Sequence, residues 1–132
     1  MELKELSTDA QNTKRAFSAI ASLLSRKVKK SAPGDYTVIR NTFVGYMKRE
    51  QQLDYNEMIS TILDDYQADS LSQDSLDELK NKLMELPDKR KFDRSFTVVP
   101  KEIRAKVRQL YKVNDGISTS NPSKSTVFVT GL

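Results

Sequence analysis

Apolar residues recur at the period of an α-helix along almost the whole chain, and this spacing restricts the fold more than any other feature. At 100° per residue, Phe17, Ile20, Ala21, Leu24 and Val28 share one stripe, with Arg15, Arg26, Lys29 and Lys30 on the other side. Ser7, Thr8 or Asp9 supplies a capping oxygen, so a first helix is predicted over about 9–30. Pro33 and Gly34 break it, and Asp35 stands where it would accept N–H bonds at the next start. A second helix over 35–52 presents Tyr36, Ile39, Phe43, Tyr46 and Met47. Asp54 and Glu57 have capping-box spacing and open a third helix over 54–67, with Tyr55, Met58, Ile59, Ile62 and Tyr66 on one face, unless the second and third form one bent helix. Ser75 and Glu78 repeat that spacing ahead of the stripe Leu76, Leu79, Leu83 and Leu86, which sets a fourth helix over 74–86 that Pro87 stops.

The segment Ser95–Val99 reads as extended, since Val99 precedes proline. Pro100 suits the first turn of a fifth helix over 100–112, carrying Ile103, Val107 and Leu110 inward. Gly116–Ser125 has the composition of a linker, and residues 125–129, STVFV, form a second extended piece that pairs with 95–99 or docks elsewhere. The expected architecture is therefore mostly α, a single-domain bundle of about five amphipathic helices with two short extended segments near the C-terminus. Residues 1–116 form the domain and 117–132 a flexible or docking tail. A chain of 132 residues fits one domain, burying about two-thirds of its unfolded surface.

The chain has no histidine and no cysteine. Imidazole bases, thiolate nucleophiles, disulfides and His- or Cys-ligated metals are all excluded by composition. No apolar run reaches the length of about 18 residues that a transmembrane helix needs. The start, MELKELSTD, lacks the apolar core of a secretory signal. The acid-free stretch Ala10–Gly34 has the content of an organelle presequence or a membrane-surface helix, but Glu2, Glu5 and Asp9 precede it and its apolar face also suits a bundle core. A soluble, intracellular protein, cytoplasmic or nucleoid-associated, is expected.

Charge is segregated along the chain. Residues 1–49 hold ten basic and four acidic side chains, 50–79 none and nine, and 80–112 eleven and four. The acid-only stretch Ile62–Leu79 contains Asp64, Asp65, Asp69, Asp74, Asp77 and Glu78. It could chelate a metal, shield a basic surface of its own chain, or dock on a partner. As a calcium loop it fails: counted from Asp65, the sixth position is Ser70 and the twelfth is Leu76, where glycine and a bidentate glutamate are required. As a helix-turn-helix, LSQDSLDELKNKL would press Asp74, Asp77 and Glu78 against phosphates. Three readings are left open for the block: partner docking through these six acids, competition with the chain's own basic surface, and the plain alternative of carboxylates at helix ends and on solvated faces.

The basic segments suggest a phosphate-binding surface. On the fifth helix Lys101, Arg104, Arg108 and Lys112 fall within an arc of about 80°. Lys89, Arg90, Lys91 and Arg94 lie just upstream, and Arg26, Lys27, Lys29 and Lys30 end the first helix. Solubilising charge is the plain alternative. Phe92 and Phe96, interleaved with Arg90, Lys91 and Arg94, are either base-stacking rings or two rings that pin a loop. Two functions are expected from the sequence. The first is a non-enzymatic, nucleic-acid-associated regulatory protein using the basic surface. The alternative is a protein-protein adaptor docking through its acidic hairpin 54–79, with self-association included. No cofactor, metal, catalytic residue or small-molecule substrate is indicated.

Overall fold

A computed structural model of the protein describes residues 8–118, with side chains through residue 109. Among them the order is α1 (Asp9–Lys27), α2 (Pro33–Met47), β1 (Gln52–Asp54), α3 (Tyr55–Leu63), α4 (Gln73–Arg90), β2 (Ser95–Thr97) and α5 (Pro100–Ser118). The chain is a mostly helical single domain, as the periodicity predicts, with a two-stranded antiparallel sheet whose first strand the sequence does not announce.

α1 runs through the centre and touches α2, α4, α5 and β2. Helices flank it on more than one side, so its buried face is broader than one stripe: Ala16, Phe17, Ala19, Ile20, Leu23 and Leu24. Phe43, Met47, Tyr55, Ile59, Leu83 and Ile103 are among the large side chains packed against it in the core. Each such large side chain contributes about 1.5–3 kcal/mol on leaving water. An exposed ion pair such as Lys89 with Glu85, at 3.1 Å, adds only a few tenths. Apolar packing therefore fixes the fold, and the charge pattern is free to serve another purpose.

Local signals set most boundaries. The Thr8 hydroxyl accepts the Gln11 N–H at 3.0 Å while the Gln11 side chain accepts the Thr8 N–H, a complete capping box. Asp54 caps α3 by accepting the Glu57 N–H at 3.1 Å. α4 starts one position earlier than expected because Ser72, not Ser75, is the cap, its hydroxyl accepting the Ser75 N–H. α2 ends at Met47, short of residue 52, where the Gln51 amide donates to the Tyr46 carbonyl at 2.6 Å and turns the chain into β1. α2 and α3 are thus separate helices.

β2 forms where the sequence reads as extended, and among the described residues its partner is β1, with Gln52 opposite Thr97, Leu53 opposite Phe96 and Asp54 opposite Ser95. The other proposed strand, residues 125–129, lies outside the described residues, as does the expected tail 117–132 beyond its first two residues, which belong to α5, a helix that runs past the expected 112 and through Gly116 to Ser118. The outer edge of β2 is covered by α1: Thr97 N–H donates to Asp9 at 3.1 Å and Val99 N–H to Thr13 at 3.0 Å. Asn12, itself buried, exchanges two hydrogen bonds with Asp93, its amide donating at 3.1 Å and its oxygen accepting the Asp93 N–H at 2.9 Å. The polar side of the first turns of α1 is a clip for residues 93–99.

Pro87 does not stop α4. The helix continues to Arg90 and ends at Lys91, which takes a left-handed conformation with φ 61°. A proline within a helix deprives the carbonyl four residues earlier of its donor. Here that carbonyl belongs to Leu83, and the buried Tyr55 hydroxyl supplies the missing hydrogen bond.

Candidate functional site

The acid-only block is organised by an acid that precedes it. Asp35 is expected to cap α2; instead Ala32 holds the cap position, Pro33 occupies the first turn, and Asp35 turns away from its own helix. Its carboxylate is fully buried and accepts four hydrogen bonds: from the Tyr66 hydroxyl at 2.5 Å and from the N–H groups of Asp69, Ser70 and Leu71 at 2.7, 2.7 and 2.9 Å. Burial pushes the carboxyl up, but these donors outweigh it and lower Asp35 from 3.8 to about 2. Burial, together with the bond and charge of Asp35, drives the Tyr66 phenol well above its usual range. The loop after α3 is therefore wrapped around a permanent buried anion.

Fixing the backbone this way leaves the acidic side chains outside. Asp64, Asp65, Asp69, Asp74, Asp77 and Glu78 are all exposed. Asp64 pairs with Lys80, and Asp77 accepts from Gln73. Among the described residues no three carboxylates converge as metal ligands. The Asp35 carboxylate is already saturated by N–H and O–H donors, an arrangement that stabilises the carboxylate anion and not a bound cation.

Among the described residues the basic side chains fall in separate groups, two of them at the two ends of α1. Lys89, Arg90 and Lys91 are exposed at the end of α4, with Lys89 beside Glu85. The Lys91 carbonyl accepts from Arg15, and Asp93 is tied to Asn12, so this loop lies at the start of α1. Arg26, Lys27, Lys29 and Lys30 are exposed near the other end of α1, about 20 Å away at 1.5 Å per residue. Arg94 is bound internally, donating to Asn56 at 2.8 Å, the Met84 carbonyl at 3.1 Å and Asp88 at 3.2 Å. Lys101, Arg104 and Arg108 are exposed on one flank of α5, and the side chain of Lys112 lies outside the described residues. Phe92 and Phe96 are buried, Phe92 edge-on to Tyr55 at 5.2 Å, so they pin the loop and offer no stacking face.

What the fold does bring together is a cleft between α1, α2 and α5. It has a volume of about 460 Å³, and among the described residues it is lined by four cations, Arg26, Lys29, Arg40 and Lys106, and by no carboxylate. Ser18, Ala21, Ser22 and Ser25 make its α1 wall, with Tyr36 and Gln109 completing it. Ala21, expected in the core stripe, is a half-buried wall residue because α1 and α5 part there. Lys29 and Arg40 both stand over the Tyr36 ring, 5.6 and 5.3 Å from its centroid.

Arg40 and Lys106 are absent from the sequence-based set. Taking Ile103 as inward, Lys106 lies about 60° to one side of α5, whereas Lys101, Arg104 and Arg108 lie about 100–160° to the other. Grouping cations by stripe selected the outward flank and missed the one that faces another helix. The Ser18, Ala21, Ser22, Ser25 series at helical spacing was the available signal, since small side chains leave room for a cleft. Against models of protein families, curated proteins and solved structures, the chain finds no match. Among the described residues no helix is long and apolar enough to cross a membrane.

Proposed function

We propose that this protein is a non-enzymatic, nucleic-acid-associated regulatory protein, soluble and intracellular, that binds backbone phosphate. The observation that carries the reading is the convergence of Arg26, Lys29, Arg40 and Lys106 on one cleft with no carboxylate among its described lining residues. Positive charge concentrated at one place attracts a phosphate, and binding releases condensed counterions. Serine hydroxyls on the α1 wall add uncharged donors for phosphate oxygens. The test is oligonucleotide binding across salt concentrations, comparing wild type with R26Q/K29Q/R40Q/K106Q. A steep log–log salt dependence that flattens by about 0.7–0.9 per lost phosphate contact, with helix content unchanged, is the expected result. Absence of salt-dependent binding at ~100 μM overturns the reading.

The adaptor function stands as a second reading because of one feature: Asp35 holds residues 69–71 in a fixed shape with the acidic side chains turned outward. A preorganised acidic face loses little entropy on docking with a basic partner or a second copy.

A further inference from the structure

Ion pairing within the chain leaves two surfaces of opposite charge unsatisfied. In the acidic stretch 62–79, Asp64 pairs with Lys80, but Asp65, Asp69, Asp74 and Asp77 make no ion pair among the described residues. Glu78 lines a small hollow with Lys27 and Lys82, so cations of its own chain stand beside it. In the cleft, Arg40 is already engaged with Asn41, at 3.3 and 3.4 Å. Arg26, Lys29 and Lys106 form no ion pair among the described residues.

The two surfaces do not meet within one copy. No residue of 62–79 is among the described residues that line the cleft. Asp35 and Tyr36, neighbours on α2, diverge by about 100° around the helix, Asp35 holding residues 69–71 and Tyr36 reaching the cleft. The acidic face and the cleft therefore point in different directions, and pairing them takes two molecules. Charge favours that pairing, because residues 50–79 carry nine acidic side chains and no basic one, so nothing in that segment repels the cations of the cleft. The Ser22 and Ser25 hydroxyls and the Gln109 amide give the cleft uncharged donors for carboxylate oxygens. We propose that Asp65, Asp74 and Asp77 of one copy dock on Arg26, Lys29 and Lys106 in the cleft of a second, an inference that rests on the adaptor reading and names its partner. Face and cleft are different patches, so the contact is heterologous and each copy can engage two neighbours.

The test follows the mass of the full chain by sedimentation equilibrium, with circular dichroism to check that helix content is kept. At ~200 μM the wild type is expected to exceed the monomer mass in ~0.1 M salt and to approach it in ~1 M, as the screening length shrinks from about 10 Å to about 3 Å. D65N/D74N/D77N and R26Q/K29Q/K106Q should each be monomeric alone. Mixed in equal amounts they should form a dimer of one copy of each and nothing larger, because the mixture retains one intact face for one intact cleft. The sixfold reversal D65K/D74K/D77K/R26E/K29E/K106E should associate again, and K101Q/R104Q/R108Q should associate like the wild type. A wild type that is monomeric at every salt concentration overturns the inference. So does association that both neutral variants retain, a mixture that stays monomeric, or association lost in K101Q/R104Q/R108Q and kept in R26Q/K29Q/K106Q. A lysine homopolymer tells this failure from that of the adaptor reading. If it binds the wild type and R26Q/K29Q/K106Q but not D65N/D74N/D77N, the acidic face remains a docking site for another basic partner; if it binds none of them, that reading falls as well.

Discussion

The Tyr55 hydroxyl donates a 2.6 Å hydrogen bond to the carbonyl of Leu83, the carbonyl that Pro87 leaves without a helical donor. α4 can carry a proline inside it because α3 supplies the missing N–H equivalent from a side chain. Both groups are buried, so the bond has no competition from water. Burial also drives the Tyr55 phenol well above its usual range, an effect that the nearby Arg94 charge opposes only in part.

Tyr55→Phe should therefore destabilise by about 1–3 kcal/mol, the range for a buried acceptor left unpaired, although the ring and its edge contact with Phe92 remain. Pro87→Ala restores the backbone donor, so the Tyr55→Phe cost should shrink in that background. A denaturant-based double-mutant cycle checks this, and a coupling near zero would disprove the compensation. The phenol's pKa is raised on folding, so its contribution is complete below the unfolded value of ~10 and is lost as pH climbs toward the folded value.

Asp35 gives the opposite pH signature. Its folded pKa of about 2 lies below the unfolded one, so its stabilisation is present above pH ~4 and is lost as pH falls toward 2. Asp35→Asn should lower stability at neutral pH by about 2–3 kcal/mol, since charge-assisted bonds to three N–H groups and a hydroxyl are weakened. The difference between wild type and variant should narrow between pH 4 and 2. Thermal melts across that window measure it, and a gap that stays constant would show that the carboxylate charge is irrelevant.

How much of this was readable depended on the range of the interaction. Thr8 and Asp54 cap helices within three residues of themselves, and the leucines of α4 repeat at a fixed spacing, so local rules identify them. Asp35 also sits beside a helix start, and the same local rule misassigns it, because its partners are more than thirty residues away. Pro87 fails for the same reason: the rule that it stops a helix holds only when no distant donor replaces its N–H. β1 spans three residues, too few to display a period of two. In the cleft, Arg26 and Lys29 were identified by charge density alone. Arg40 and Lys106 join them only through the packing of α2 and α5 on α1, which no single-helix projection contains.

Asn12 and Arg94 test the division between structure and binding. Asn12→Ala removes both bonds to Asp93 and should cost about 1–3 kcal/mol, with faster amide exchange at Asp93 and Val99 as the clip on residues 93–99 loosens. Arg94→Gln should likewise lower the melting temperature, since the guanidinium bridges Asn56, the Met84 carbonyl and Asp88. Neither substitution should alter the salt slope of oligonucleotide binding. A flattened slope in Arg94→Gln would place that cation in the interface after all.

Charge reversal on the acidic face separates the two functional readings. Asp65, Asp74 and Asp77 are exposed and do not line the cleft, so D65K/D74K/D77K leaves the Asp35 clasp and the Asp64–Lys80 pair in place. If the cleft carries the function, the reversal acts only through the long-range field, which falls off over about 8–10 Å at physiological salt. Oligonucleotide affinity should then rise by no more than about threefold at ~150 mM salt and by more at low salt, because screening is weaker there. If the acidic face is a docking site, the same three changes should abolish self-association or partner capture, since like charges placed against a basic surface oppose binding outright. Sedimentation at several salt concentrations, run beside the binding assay, reads both effects on one set of proteins. A monomeric wild type with raised oligonucleotide affinity in the variant supports the cleft. An associating wild type that becomes monomeric on reversal, with oligonucleotide binding absent throughout, assigns the function to the acidic face.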